Sequence, residues 1–145
     1  MQISRNAWDA LQSGDSFAIA AALLIGSNGK TLLVRKRGTT AFMQPGGKIE
    51  PGEPAATALA LALDEELGIQ IDTAQAQFLG MFSATAANEP GFDVHCELFR
   101  VVINGPVHAA AEIEEAVWVD SHSYVQMQLA PLTQDHVMPI YLNRC

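Results

Sequence analysis

The chain has 145 residues, 49% of them hydrophobic, which is enough for one domain with a single hydrophobic core, expected over residues 1–145. Its 16 acidic and 8 basic side chains give a formal charge of -8, which argues against a surface that follows the phosphates of a nucleic-acid polymer. The 2 cysteines are too few for a disulfide framework and favour a reducing compartment.

The beginning of the chain lacks the features of a secretory signal, because no basic start precedes an apolar run. The apolar stretch that starts at Phe17 ends after about ten residues and is too short to span a bilayer. We therefore expect a cytoplasmic protein without a membrane partner.

Hydrophobic patterning predicts a sheet with helices packed on it. The predicted elements are a short helix at 6–12, strands at 17–25 and 31–35, a helix at 54–67, strands at 78–85, 94–103 and 116–119, and a final helix within 129–142. Asn28 and Gly29 between the first two strands are typical of a hairpin turn, since both tolerate positive φ. Pro54 suits the first position of a helix, and Gly68 suits the left-handed residue after its end.

The helix predicted at 54–67 ends in adjacent carboxylates. Its apolar residues recur at helical spacing, which predicts a buried stripe of Ala56, Ala60, Leu63 and Leu67. In such a helix Glu65 and Glu66 lie on a different side from the buried stripe, together with Ala58 and Ala62. Two like charges near the C-terminal end of a helix are repelled by each other and by the macrodipole, and a divalent cation would reverse that cost. Hard cations such as Mg2+ and Mn2+ prefer such oxygen ligands.

The glycine-rich segment before this helix extends the candidate cation site. Its glycines permit a tight turn and close approach, so the backbone carbonyl of Gly46 can face the ion. Glu53 stands at the entrance of the helix and can turn back into the same space. The alternative is a solvated acidic helix face, which is what clusters of charge commonly form.

The spacing of these residues then resembles a known signature. The matching positions are Gly47, Glu53, Leu63, Glu65, Glu66, Gly68 and Ile69. They follow G-x5-E-x7-R-E-U-x-E-E-x-G-U, where U is a bulky aliphatic residue, as in the MutT-like Nudix hydrolases. The resemblance implies an α/β fold, specifically a Nudix-type α/β/α sandwich with a mixed sheet. It also implies a hydrolase dependent on Mg2+ or Mn2+, in which water attacks a phosphoanhydride of a nucleoside diphosphate linked to another moiety, such as a nucleoside triphosphate or an ADP-sugar.

Two positions depart from the signature. Leu61 and Ala62 stand where the family has Arg-Glu. In the family the arginine typically holds the first glutamate, here Glu53, and the missing glutamate is commonly a metal ligand or the base that activates water. The departure leaves open a second function, a catalytically impaired Nudix-fold module that binds nucleotides or acts as a sensor.

The resemblance assigns roles to further residues. It implies Glu53, Glu65 and Glu66 as catalytic residues, and these three with Gly46 and Glu97 as metal ligands. Glu97 is chosen because the family often adds a glutamate from a strand or loop beyond the helix. Other acidic residues that can supply the missing base are Glu112, Glu114 and Glu115.

For the substrate, a small phosphorylated nucleotide, basic side chains of the hairpin are the first candidates. Arg35 and Arg37 share one face of the second strand, with Lys36 on the other, and arginine suits phosphate oxygens through its paired donors. Lys48 is a further phosphate candidate, and Trp118 is an aromatic side chain able to stack on a base. The family commonly forms oligomers, which leaves a homodimer open.

Overall fold

The structure is a computed structural model and describes residues 16–144, of which Arg144 is described by its backbone alone. The helix predicted at 6–12 and the terminal Cys145 lie outside the described residues. Within the described range, no helix is both long and apolar enough to cross a membrane.

Within residues 16–144, six strands form one mixed sheet. The elements are β1 (Ser16–Ile25), β2 (Thr31–Lys36), β3 (Gly46–Lys48), α1 (Ala55–Leu67), a 3₁₀ turn (Thr73–Gln75), β4 (Gln77–Thr85), β5 (Asp93–Val102), β6 (Ile113–Val119), a π-helical turn (Thr133–Val137) and α2 (Met138–Arg144). The strand order is β4-β5-β1-β2-β6, and β3 pairs with β1 beside this path. The pairing of β1 with β5 is parallel, and the other pairings are antiparallel.

The central strand β1 is buried on both faces, as its continuous apolar run predicts. Ala20, Ala22 and Leu24 pack toward α1, whereas Leu23 and Ile25 pack toward α2. The predicted α/β/α sandwich with a mixed sheet is therefore confirmed.

The short strand β3 was not expected, because two glycines in three residues show no alternating pattern. It pairs with the first half of β1, where Ala20 lies opposite Gly47 and Ala21 lies opposite Gly46. The segment before it is held to β2 by two backbone hydrogen bonds between Val34 and Met43. The glycine-rich segment, for which the sequence predicted no strand, is thus hydrogen-bonded to β1, and the residues before it are hydrogen-bonded to β2.

Helix α1 begins after Pro54 and ends at Gly68, which has a φ of 68° and donates its backbone N–H to the carbonyl of Asp64. The predicted buried stripe is wrong in part, since Ala56 and Ala60 are only half-buried. The buried residues are Ala55, Ala58, Leu59, Ala62, Leu63, Glu66 and Leu67. The helix packs on both β1 and β3, and its many alanines gave no asymmetry from which to predict the second contact.

Gly46 permits the close approach of β3 to β1, and its replacement should destabilise the fold. A Cβ atom there would overlap the carbonyl oxygen of Ala20 and stand 2.7 Å from the Cα of Ala21. We expect Gly46→Ala to lower the free energy of unfolding by about 3 kcal/mol. Gly47→Ala is the control, because its Cβ would meet only the methyl group of Ala62, at 3.0 Å. Urea unfolding of both variants tests this, and equal losses would contradict it.

Candidate active site

Among the described residues, five glutamates from three parts of the chain line one pocket beside α1, here called the acidic pocket. Its lining residues are Gly47, Lys48, Glu50, Glu53, Ala58, Leu61, Ala62, Glu65, Glu66 and Glu112. The predicted pair at the end of α1 and the predicted Glu53 are thus brought together. Glu112 joins them from the segment before β6, although its neighbours Glu114 and Glu115 do not line the pocket.

Glu66 is buried, with 8% of its surface exposed, whereas Glu65 beside it lies in solvent. Burial raises the pKa of the Glu66 carboxyl from 4.5 to about 7, and Glu112 and Glu65 push it in the same direction. Lys36 and a backbone hydrogen bond with Gly46 act in the opposite direction. Near neutral pH the Glu66 carboxyl is therefore only partly ionised, because the fold compensates its charge only in part.

The position of Glu112 follows from the way its loop docks on the end of α1. The backbone N–H of His108 donates to the carbonyl of Leu67, and that of Ala110 donates to the carbonyl of Glu66. These bonds satisfy carbonyls that the last turn of a helix leaves without an intrahelical partner. The chain then turns at Ala111, which has a φ of 53°, and so brings Glu112 to the acidic pocket.

Lys36 supplies positive charge near Glu66. Its Nζ atom lies 3.4 Å from Oε1 of Glu112. Because side chains alternate along β2, Lys36 shares the α1 face with Leu32 and Val34, both of which belong to the cluster under α1. Side-chain alternation predicted this separate face for Lys36, but residue type favoured the arginines as the phosphate contacts.

Glu53 is held by the backbone of its own loop. The N–H of Glu50 donates to Oε1 of Glu53 at 3.0 Å, and the N–H of Glu53 donates to the carbonyl of Glu50. The loop is therefore a closed turn that orients the carboxylate without an arginine.

A second opening, here called the interstrand cleft, lies where β2 and β3 separate along β1. Its lining residues are Phe17, Ile19, Val34, Lys36, Met43, Gln44, Gly46, Gly47, Lys48, Glu66, Thr85, Ala86, Ala87, Asn88, Glu89, Val94, Ala130 and Leu132. Its walls are mainly apolar. Glu66, Lys48 and Gly47 line both the cleft and the acidic pocket, so the two openings meet at Glu66.

Among the basic candidates, only Lys48 lines these openings. Arg35 donates to Oε1 of Glu115 at 2.7 Å, and Arg37 donates to Oε2 of Glu114 at 3.1 Å. Both arginines are thus engaged across the β2–β6 pair. The Nζ atom of Lys48 lies 4.8 Å from the ring centroid of Phe17, at the edge of the cleft.

Trp118 lies outside both openings. A Cβ atom built on Gly26 would approach its ring to 3.0 Å, so the indole packs on the turn between β1 and β2. Its predicted role in stacking on a base stays a prediction, and the geometry does not favour it.

Glu97 is buried, at 4% exposed, and lines a third groove at the N-terminal end of α1. It shares this groove with Glu53, whereas Glu65 and Glu66 do not line it. Glu53 therefore stands between the groove of Glu97 and the acidic pocket. Across residues 16–144, no group of three His, Cys, Asp or Glu side chains is arranged to hold a metal ion by itself.

The raised pKa of Glu66 predicts how stability in the presence of EDTA depends on pH. Between 4.5 and about 7 the folded state binds a proton that the unfolded state has lost. The contribution of Glu66 to stability is therefore present below this range and is lost as the pH rises through it, by about 3 kcal/mol in total.

Glu66→Gln removes this titration, so the variant should gain about 3 kcal/mol over wild type between about pH 5 and about pH 8. Urea unfolding at several pH values measures the difference, and Glu65→Gln is the control because that side chain lies in solvent. Parallel pH curves for wild type and Glu66→Gln would contradict the prediction.

Comparison with known proteins identifies the fold around this site. The NUDIX domain matches residues 16–140, which is most of the chain. The chain belongs to the Nudix family. No curated protein sequence matches it.

Solved Nudix structures align over nearly the whole chain. The MutT protein from Methanosarcina mazei is 20% identical, covers 92% of this chain and 99% of its own, and gives a TM-score of 0.73. A MutT NUDIX hydrolase from Burkholderia pseudomallei is 19% identical, with 90% and 98% covered and a TM-score of 0.69. A bifunctional NMN adenylyltransferase/ADP ribose pyrophosphatase from Francisella tularensis, complexed with AMP and a manganese ion, is 19% identical, with 97% of this chain and 45% of that chain covered and a TM-score of 0.69. At sequence identities of 19% and 20%, the structural similarity shows that these proteins and this chain share a fold.

The two departures from the Nudix signature lie at the acidic pocket itself. Leu61 is 52% exposed at its rim. Ala62 is buried against the glycine segment, where a Cβ on Gly47 would stand 3.0 Å from its methyl group. The pocket therefore lacks a guanidinium and a carboxylate at the positions where the signature has them.

Proposed function

We propose that this Nudix protein hydrolyses a phosphoanhydride of a nucleoside diphosphate linked to another moiety, of the nucleoside triphosphate or ADP-sugar type, with Mg2+ or Mn2+. The observation that carries the proposal is the buried Glu66, which faces both the acidic pocket and the interstrand cleft. A nucleotide in the cleft would thus present its phosphates to the carboxylates. The Francisella tularensis protein of similar fold, a bifunctional NMN adenylyltransferase/ADP ribose pyrophosphatase, is consistent with this substrate class.

The donor set of the acidic pocket fits a hard divalent cation. Carboxylate oxygens are the ligands that Mg2+ and Mn2+ prefer, and Mg2+ usually takes only one or two carboxylates and completes its shell with water and substrate phosphates. Glu66 and Glu65 would hold the cation, with Glu53 and the backbone carbonyl of Gly46 as further ligands. When bound, the cation shields the phosphate charges and stabilises the leaving group. It also removes the cost of ionising the buried Glu66.

Residues around the cleft would position the substrate. Lys48 and Lys36 line it beside Glu66, and their ammonium groups can pair with phosphate oxygens. Arg35 and Arg37 would have to leave their glutamate partners to take this role. We therefore favour the two lysines as the phosphate contacts.

The water needs a base, and Ala62 cannot supply one. We propose Glu112 for this role in preference to Glu97, because Glu112 lines the same pocket as Glu65 and Glu66. Its Oε1 atom lies 3.4 Å from Nζ of Lys36, and its charge raises the pKa of Glu66, so the two carboxyl groups are within electrostatic range of each other. Glu97 as a metal ligand remains a prediction, which its shared groove with Glu53 permits.

Glu112→Gln should lower kcat by about a hundredfold, since a general base contributes a factor of that order or more. Glu115→Gln is the matched control, because Glu115 pairs with Arg35 outside the pocket. Steady-state rates test the assignment, and a Glu112→Gln rate within about threefold of wild type would contradict it.

The second function, a module that binds nucleotides without turnover, is favoured by one specific observation. Leu61 and Ala62 leave the acidic pocket without two of the charged groups of the Nudix signature. Such a module would bind nucleotides in the same cleft.

A panel of nucleoside triphosphates, ADP-ribose, sugar nucleotides and dinucleoside polyphosphates, with Mg2+ or Mn2+, tests the first function against the second. Hydrolysis of at least one compound that stops on addition of EDTA supports the hydrolase. Binding of nucleotides without hydrolysis of any would support the binding module.

A further inference from the structure

One buried amide in the interstrand cleft has a hydrogen-bond donor without a partner among residues 16–144. Gln44 lines the cleft and is 5% exposed. Its Oε1 accepts a hydrogen bond from the hydroxyl of Thr133, which is fully buried, at 2.6 Å. Within residues 16–144 the Nε2 atom of Gln44 has no hydrogen-bond partner. Because buried polar groups are nearly always paired, such a donor points to a ligand.

Thr133 fixes which end of the amide faces the cleft. A separation of 2.6 Å is typical of an O–H···O bond and short for a bond from an amide nitrogen. If the amide were turned over, the buried Thr133 hydroxyl would lose its acceptor in the described part of the chain. The side-chain amide of Gln44 is therefore oriented so that its Nε2–H group is available as a hydrogen-bond donor.

The cleft has the composition of a site for a flat ring attached to a charged group. Val34, Met43 and Leu132 contribute apolar wall near Gln44, while Glu66 and Lys48 lie toward the acidic pocket. Sites of this kind bind rings between apolar side chains and use a few polar groups for selection.

We propose that Gln44, positioned by Thr133, donates its amide N–H to a ring carbonyl of the nucleobase and thereby selects bases with a carbonyl over bases with an exocyclic amino group. This inference rests on the proposed function only in that the ligand is a nucleotide. An exocyclic amino group in place of the ring carbonyl would put a second hydrogen-bond donor opposite the Gln44 amide N–H, and both donors would then lack an acceptor. The expected discrimination is about tenfold to a hundredfold in Kd.

Two pairs of nucleoside monophosphates test the proposal, because they contain no phosphoanhydride and cannot be turned over. IMP has a ring carbonyl where AMP has an amino group, and UMP has a ring carbonyl where CMP has an amino group. Calorimetric titration of wild type should give a preference for the carbonyl member of about tenfold or more in at least one pair. Gln44→Met should abolish it, whereas Gln134→Met, which changes an exposed glutamine next to Thr133, should retain it.

Thr133→Val distinguishes a role of Thr133 in positioning the Gln44 amide from a purely structural role, because only the first affects which base is preferred. It frees the Gln44 amide to turn over, so binding of the amino member should improve toward that of the carbonyl member. Equal binding of both members by wild type, absence of nucleotide binding, or an unchanged preference in Gln44→Met would overturn the proposal. Hydrolysis of triphosphates with Mn2+ is measured separately, so selective binding without hydrolysis would overturn only the proposed function.

Discussion

Glu66→Gln should abolish hydrolysis and, independently, remove the stabilisation that Mn2+ gives the wild-type protein. Glu66 is the buried carboxylate shared by the acidic pocket and the interstrand cleft. The amide has nearly the same size but no charge to hold the cation. Loss of this ligand should cost about a thousandfold in kcat/KM, because cation stabilisation of the transition state is worth several kcal/mol.

Thermal unfolding provides the second readout of this variant. Mn2+ at about 100 times its Kd should stabilise wild type by about 2.7 kcal/mol. The same concentration should leave Glu66→Gln nearly unchanged. Glu114→Gln is the control, since Glu114 pairs with Arg37 away from the pocket. Equal Mn2+ stabilisation of wild type and Glu66→Gln would show that the cation binds elsewhere.

Leu61→Arg combined with Ala62→Glu should increase the rate of hydrolysis by about a hundredfold, because a further carboxylate ligand for the cation and a guanidinium both strengthen the stabilisation of charge in the transition state. Both positions line the acidic pocket, and Leu61 is exposed, so an arginine can enter without displacing the core. The new glutamate adds a carboxylate beside Glu66, and the new arginine adds charge near Glu53. Without a cation, the additional negative charge should lower stability.

The control for this double variant is Leu61→Lys combined with Ala62→Gln. It retains a positive charge and the length of the side chains but lacks the planar guanidinium and the new carboxylate. A gain with the first pair alone would identify the two departures as the cause of low activity. No gain would contradict this prediction and would indicate that the acidic pocket needs neither of the two signature groups.

Much of the fold could be predicted because its strongest signals are local. The Asn28-Gly29 turn, the buried run of β1 and the glycine after α1 each mark an element within a few residues. Strand β3 could not be predicted in this way, because its identity comes from its partner β1. The buried face of α1 was missed in part for the same reason, since β3 covers a side that the alanines did not distinguish.

The residues of the candidate site show the same difference between local signals, which the sequence reveals, and long-range contacts, which it does not. The spacing within one helix was sufficient to single out Glu65 and Glu66, and to place Glu53 before them. Lys36 and Glu112 meet only through the pairing of β2 with β6, which contains an irregularity between Arg35 and Lys36. No single-sequence pattern reports such a shift. The alternation along β2 was predicted correctly, but residue type favoured the arginines over the lysine on the face toward α1.

The most direct test of the account is a single-turnover measurement on the wild-type protein. Protein in stoichiometric excess over the best-bound nucleotide is followed by ³¹P NMR, with saturating Mg2+ and then with EDTA. We expect the phosphoanhydride resonances to disappear and product phosphate resonances to grow only in the presence of Mg2+, even if turnover is slow because the Arg-Glu pair is missing. A nucleotide that stays bound and intact with Mg2+ would contradict the hydrolase and identify the chain as a nucleotide-binding module.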